Sequence, residues 1–232
     1  MSITSVGIIP DGNRRYAKKQ GLNLVQSYQL GTAKAWQLLD WLSDYKEIKT
    51  GTFYTLSLEN LTRSKIELNA LLKIFDKQLD QIFKNPVFEE KRIHLKFIGK
   101  FDAFPERLKQ KIFEVQDYTS SFGEKVIQLA FGYSGRAEIV DAARALALDH
   151  SEGKVDLDSV NEESFKKYLY SHETDPDLII RTSGEKRLSG FLTYQSAYSE
   201  LYFSDKYWPE FSRSDFDLAI KEYNERKRNF GK

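Results

Sequence analysis

The 232-residue chain contains no cysteine. That absence excludes disulfides, thiolate zinc sites and cysteine nucleophiles, and it fits an intracellular protein. Histidine is scarce, and His94, His150 and His172 stand too far apart to form a metal-ligand spacing. No apolar run approaches the ~20 residues of a membrane span, and the N-terminus lacks the basic-then-apolar pattern of a secretory signal. The expectation is a cytoplasmic protein that touches a membrane, if at all, from one side. An excess of one charge sign is missing too. With 35 Lys and Arg against 34 Asp and Glu, the net charge is +1, which argues against a nucleic-acid binder, whose domain is distinctly basic. Any recognition of anions must therefore be local. Familiar nucleotide signatures are absent as well: there is no GxxxxGK[ST] loop, and no dinucleotide fingerprint follows the first predicted strand.

What is present is enough apolar sequence, 41% of residues, to build a substantial core in one large domain spanning residues 1–232. Short β-rich runs at 4–9, 51–56, 93–98, 125–131 and 177–181 alternate with helical patterns at 27–45, 65–84, 105–121, 135–150 and 212–229. This alternation predicts an α/β fold with a mainly parallel central sheet flanked by helices. The polar stretch 151–164 reads as a surface loop within the domain. In such folds ligands bind beyond the carboxyl ends of the strands, which places the Asp11 turn, Ser57–Arg63, Tyr133–Arg136 and the segment from Arg181 onward along one rim.

Three of these segments carry candidate chemistry. In GIIPDGNRRYAKKQG, residues 7–21, the first strand stops at Pro10, which has no N–H for a ladder. Gly12 permits backbone geometry closed to other residues, and a basic helix begins at Asn13. A strand, a glycine turn and a helix start offer free N–H groups to an anion, and Arg14 and Arg15 stand beside the turn with forked guanidinium groups suited to phosphate. Asp11 is the odd member, because a carboxylate beside phosphate needs a cation or a proton between them. The competing reading makes Asp11 an ordinary helix N-cap ahead of a solvated basic face. In RTSGEKRLSGFLTYQSAYSELYF, residues 181–203, Arg181 and Arg187 flank small and hydroxyl residues including Ser189, again suiting a phosphate-rich anion; the competing reading pairs these arginines with Glu185 and Glu200. YTLSLENLTRSKIE adds Ser57, Glu59, Asn60, Arg63 and Glu67 at a strand end. Three such rims suggest two anionic ligands.

Taken in order, PDGNRRYA, SLENLTRS, YSGRAEIV, IIRTSGEKRLSGFLTYQSAYSELYF and the ending RKRNFG resemble the cis-prenyltransferases, the undecaprenyl and dehydrodolichyl diphosphate synthase family, across essentially the whole chain. The DDxxD clusters of trans-type prenyl synthases are missing; the nearest pair, Asp76 and Asp80, reads as a solvated helix face. The resemblance implies a homodimer that condenses isopentenyl diphosphate with an allylic prenyl diphosphate, with Mg²⁺, to make a longer chain whose new double bond is cis. It implies an apolar tunnel between the sheet and the helices at 27–45 and 65–84. It further implies Asp11 and Asn60 at the reacting centre, and Gly12, Asn13, Arg14, Arg15, Ser57 and Arg63 around the allylic diphosphate. Arg181, Arg187 and Ser189 would grip isopentenyl diphosphate, and Asp11 and Glu200 would belong to the metal network. A lipid product leaves room for peripheral membrane contact. The chain departs from the family pattern at Leu24, at Tyr28 in place of the usual histidine, at Leu61, Ser64, Ser183 and Gly190. A non-catalytic subunit that stabilises a partner synthase is the alternative; such subunits typically lose the aspartate turn and the arginine-serine segment, both of which are intact here.

Overall fold

In the computed structural model, which describes residues 2–226, six parallel strands form one sheet in the order β3-β4-β2-β1-β5-β6. The strands are β1 (Ser5–Ile9), β2 (Thr50–Ser57), β3 (Ile93–Ile98), β4 (Lys125–Tyr133), β5 (Leu178–Arg181) and β6 (Glu200–Phe203). The helices are α1 (Asn13–Gln20), α2 (Leu24–Asp44), α3 (Lys65–Ile82), α4 (Val87–Glu90), α5 (Glu106–Thr119), α6 (Gly135–Ser151), α7 (Glu162–Phe165) and α8 (Arg213–Glu225). The predicted strands all form. β6 is an addition: its four residues are only half-buried and register against β5 from Leu178↔Glu200 to Arg181↔Phe203, so no local apolar run announces it. α2 starts earlier than its apolar spacing indicates, because Asn23 and Gln26 form a capping box ahead of it. The end of the helix expected at 212–229 and most of RKRNFG lie outside the described residues. The predicted loop at 151–164 holds one 3₁₀ turn and the start of α7.

Every residue of β1 and β5 is buried, as expected of central parallel strands covered on both faces. On one face the main core joins Val6, Ile8, Phe53, Leu95 and Ile180 to Leu38 and Leu42 of α2, Ile112 and Val115 of α5, and Phe216 and Ile220 of α8. The other face carries a smaller cluster around Ile9, Tyr54, Tyr133, Ile179 and Phe191. Helix α3 is packed unevenly along its length. Only Leu79 and Ile82 of its apolar stripe are fully buried, while Leu68, Leu71, Leu72 and Phe75 are half-buried against the core. The helix stands away from the sheet there, and the space it leaves is the cavity described next.

The strand order reverses direction at β1, which has β2 on one side and β5 on the other. Ligands of open α/β sheets sit at such a reversal, beyond the carboxyl ends.

Candidate active site

The Asp11 turn lies at that reversal and is fixed from three directions. The Asp11 carbonyl accepts from the Trp208 N–H at 3.0 Å and from the Thr182 hydroxyl at 2.7 Å. Gly12 has φ 106°, and a Cβ there would meet Tyr207 Cδ1 at 2.8 Å and Ser183 Cβ at 2.9 Å, so both conformation and space demand glycine. Gly12 is also the N-cap of α1, with no side-chain cap; the N-cap reading of Asp11 is thereby corrected, and the first N–H groups of α1 stay open to an anion. Gly31 of α2 comes so close that a Cβ would lie 2.4 Å from Asn13 Oδ1, and the Trp208 indole N–H locks that helix by donating to the Gly31 carbonyl at 2.7 Å.

The Asp11 carboxylate accepts from Arg181 Nη2 at 2.8 Å, from Arg15 Nη2 at 3.4 Å and from the Gly12 N–H at 2.6 Å. Burial pushes its pKa up, but the Arg181 hydrogen bond and charge, the Gly12 N–H and the Arg15 charge together outweigh burial and hold it below the ordinary value. Through Nη1 the same Arg181 donates to Ser189 Oγ at 2.9 Å and to the Arg187 carbonyl. Its Nε is buried without a protein acceptor, as is the oxygen Asn13 Oδ1 without a donor. Both are buried polar atoms left without a protein partner, a feature that is uncommon outside functional sites.

The cavity has a volume of about 1090 Å³, above the ~300–1,000 Å³ of ordinary small-molecule pockets. One end is polar and is lined by Asp11, Gly12, Asn13, Arg14, Arg15, Ser57, Asn60, Arg63, Arg136, Arg181 and Ser189. The other is apolar and runs between the sheet and helices α2 and α3, past Trp36, Leu39, Leu71, Phe75, Leu79, Ile82, Phe88, Leu129 and Phe131. The tunnel expected between sheet and two helices is this space. Phe75 stacks on Phe131 at 4.0 Å between centroids, and Trp36 bridges to Gln78 of α3 through an indole hydrogen bond of 2.7 Å.

The structure thus gathers most of the sequence-predicted residues at one mouth. Arg187 stays at the rim: its side chain is exposed and pairs with Glu185, which also binds Arg15 at 3.0 Å. The surface pairing considered from sequence is therefore half right, since Glu200 goes elsewhere. It opens β6 beside Leu178, at the far end of the ladder from Arg181, and pairs with Arg226 at 2.6 Å. Five strand positions separate that level from Asp11, about 16 Å at the rise of a strand. Within one chain the two carboxylates expected in the metal network therefore stand apart. Asp76 and Asp80 are also outside the site, both holding Lys111 of α5, at 2.7 and 2.8 Å.

Among the described residues no group of three or more His, Asp or Glu side chains is placed to hold a metal. Asp11 alone suits a hard cation that brings its own phosphate oxygens, which is how Mg²⁺ is commonly bound, by one or two carboxylates plus substrate phosphates. The donor set fits such an ion and would not cage a bare one.

Other contacts escaped the sequence. Tyr28 donates to the buried Glu67 at 2.6 Å, and Arg63 Nη1 reaches both Tyr28 Oη and Glu67 at 3.1 Å. Burial first, and the Glu67 bond second, push the Tyr28 phenol well above its ordinary pKa, so it is neutral at any working pH. A tyrosine and a glutamate 39 positions apart give no local signal of meeting. Tyr54, Ser134 and Trp208 also line the cavity; the first two fall within segments read from the sequence, and Trp208 does not.

Residues 9–231 match the Prenyltransf family model, that of the undecaprenyl diphosphate synthases. A tritrans,polycis-undecaprenyl-diphosphate synthase (geranylgeranyl-diphosphate specific) from Thermoplasma acidophilum is 44% identical over 98% of this chain and 88% of the relative. A protein of the same description from Pyrobaculum aerophilum is 40% identical over 99% of this chain and 96% of its own length. The crystal structure of lavandulyl diphosphate synthase from Lavandula x intermedia, in complex with dimethylallyl diphosphate, superposes with a TM-score of 0.95 at 32% identity, covering 100% of this chain and 99% of that one.

Proposed function

This chain belongs to the undecaprenyl diphosphate synthase family of cis-prenyltransferases and is a transferase, and from that membership we propose that it extends an allylic diphosphate of geranylgeranyl length with isopentenyl diphosphate units, each new double bond being cis. One observation carries the reading: a mouth lined by five arginines and the Asp11 carboxylate opens directly onto a long apolar cavity. A prenyl diphosphate has the same division, with a charged head and a hydrocarbon tail. The primer length is taken from the names of the archaeal relatives.

The residues divide as follows. The open N–H groups of α1 with Arg14, Arg15 and Arg63 hold the allylic diphosphate, and its tail lies along α2 and α3. Arg181, Arg187 and Ser189 hold isopentenyl diphosphate beside it. Ser57 and Asn60 stand at the reacting centre; the Ser57 hydroxyl caps the turn by accepting from the Asn60 N–H at 3.2 Å. Leaving of the allylic diphosphate puts negative charge on its bridging oxygen, and fixed cations aimed there stabilise it as it develops. Asp11 would hold Mg²⁺ against the diphosphates, and the ion, when bound, supplies Lewis-acid stabilisation of the leaving group. Each added five-carbon unit buries more apolar surface at about 25 cal/mol per Å², so elongation remains favourable until the apolar end is full.

Two further parts of the reading concern assembly. Val140 and Leu148 of α6 are 49% and 58% exposed, an apolar face suited to a second copy, and sedimentation should give a homodimer. No helix among the described residues is long and apolar enough to cross a membrane, so contact with a bilayer would be peripheral, through the lipid product. The test of the activity is incubation of pure protein with geranylgeranyl diphosphate and labelled isopentenyl diphosphate. Label should enter solvent-extractable products with Mg²⁺ and should not in excess chelator; turnover in chelator would refute the metal role of Asp11.

A further inference from the structure

Tyr54 stands in β2 immediately before the bulge that breaks the strand's register with β4. Its ring is fixed on two sides, stacked on Phe191 at 5.0 Å with 22° between the planes and edge-on to Tyr133 at 5.9 Å. With only 9% of the residue exposed, the hydroxyl has little freedom of position. It donates to the Ser189 carbonyl at 3.2 Å, with the Tyr133 carbonyl a weaker second acceptor at 3.4 Å. Three positions further along the same strand, Ser57 Oγ accepts from the Asn60 N–H at 3.2 Å. The Tyr54 hydroxyl therefore ties β2, the strand that ends at Ser57, to the Ser189 carbonyl.

The Ser189 segment at the other end of this tie needs support. Ser189 has φ 51°, followed by Gly190 at 77° and Leu192 at 44°. Non-glycine residues persist in that region only where their surroundings over-determine them. Two ties come from neighbouring segments: Arg181 donates to Ser189 Oγ, and the Gly135 N–H donates to the Gly190 carbonyl at 2.8 Å. Tyr54 supplies the tie from β2, the strand that delivers Ser57 and Asn60.

The geometry points to Tyr54 as a positioning residue for the condensation, one that holds Ser189 of the isopentenyl diphosphate half in register with Ser57 and Asn60 of the allylic half. The assignment rests on the substrate halves proposed above. Its physical content is that two reactants gain from pre-set mutual orientation, and here one phenol, belonging to neither diphosphate clamp, sets the spacing between them.

Tyr54→Phe removes one oxygen and keeps the stacked ring. The KM for isopentenyl diphosphate should rise roughly three- to tenfold, the weight of one neutral hydrogen bond, while the KM for the allylic primer and the melting temperature stay near wild type. An unchanged isopentenyl diphosphate KM in Tyr54→Phe, or an equal rise for both substrates, would overturn the assignment. If the wild type proves inactive, the substrate reading fails, and calorimetric binding of inorganic diphosphate then decides on Tyr54. Weaker binding by Tyr54→Phe supports its hold on Ser189, and equal binding overturns it.

Discussion

Arg181, the last residue of β5, holds the carboxylate of Asp11 just past the end of β1, with Nη2 2.8 Å from Oδ2. The pair brings a fixed cation and a fixed anion to one cavity mouth, at the point where the sheet reverses its strand order. A diphosphate that carries a metal ion can use both, its oxygens meeting the guanidinium and its ion meeting the carboxylate.

Asp11→Ala should abolish turnover with the fold retained. Loss of one group that stabilises developing charge costs about 3 kcal/mol or more, at least roughly a hundredfold in kcat. Steady-state assay together with circular dichroism checks this; near-wild-type kcat in the folded variant would remove Asp11 from the chemistry.

The same carboxylate predicts a pH dependence of stability. Its pKa is lowered in the folded protein, so ionised Asp11 contributes stability above the unfolded value of about 3.9, and that contribution is lost as pH falls through the lowered folded value. The stability gap between wild type and Asp11→Asn should be open and flat from pH 5 to pH 8 and should close in stronger acid. Denaturant melts across that range measure it, and a gap that widens on acidification would contradict the sign.

Arg187→Ala should raise the KM for isopentenyl diphosphate more than that for the primer, because Arg187 follows β5 whereas the allylic clamp follows β1 and β2. Its side chain is exposed and paired to Glu185, so folding stability should hardly change. Equal effects on both substrates would mean that the two diphosphate positions have been exchanged.

Tyr28 takes the place of a histidine usual in the family, and its hydroxyl sits against Glu67 and Arg63. Tyr28→Phe deletes one buried hydrogen bond and should cost about 1 kcal/mol, a fall of roughly 2–4 °C in melting temperature for a chain of this size. Tyr28→His, which restores a group that can become a cation, should alter primer preference more than isopentenyl diphosphate affinity. Identical primer profiles for wild type and Tyr28→His would show that the phenol and the imidazole are interchangeable there.

The parallel sheet was legible because buried strands carry their own β-branched and apolar runs, as in Val6, Ile8 and Ile9 or Leu178–Ile180. The Asp11 turn was legible because proline, glycine and arginine each have a local reason to be there. β6 was not, since a half-buried edge strand is defined by its partner β5 and carries no strong pattern of its own. The position of Glu200 followed from that omission: without β6 in the ladder, nothing in the sequence says that this carboxylate sits at the opposite end of the sheet from Asp11. The Tyr28–Glu67–Arg63 cluster and the Tyr54–Ser189 hydrogen bond were likewise hidden. They join side chains from separate elements, and only packing brings them together.

The apolar end of the cavity should limit product length. Phe75 and Leu79 both line it, and Leu79 is 1% exposed while Phe75 is half-buried. Truncation to alanine in a core costs about 2–5 kcal/mol, so thermal melts must first show that each variant is folded. Phe75→Ala or Leu79→Ala should then shift products towards longer chains by chromatography. An unchanged ladder from both folded variants would place the floor of the cavity elsewhere.

The central claim, that this cavity builds a cis-configured chain from an allylic primer and isopentenyl diphosphate, is tested most directly by the geometry of the product's new double bonds. Wild-type protein given geranylgeranyl diphosphate, isotopically labelled isopentenyl diphosphate and Mg²⁺ should yield an extended diphosphate in which every labelled unit carries a cis double bond by NMR. Labelled units in the trans configuration, or no labelled product from folded protein, would contradict it.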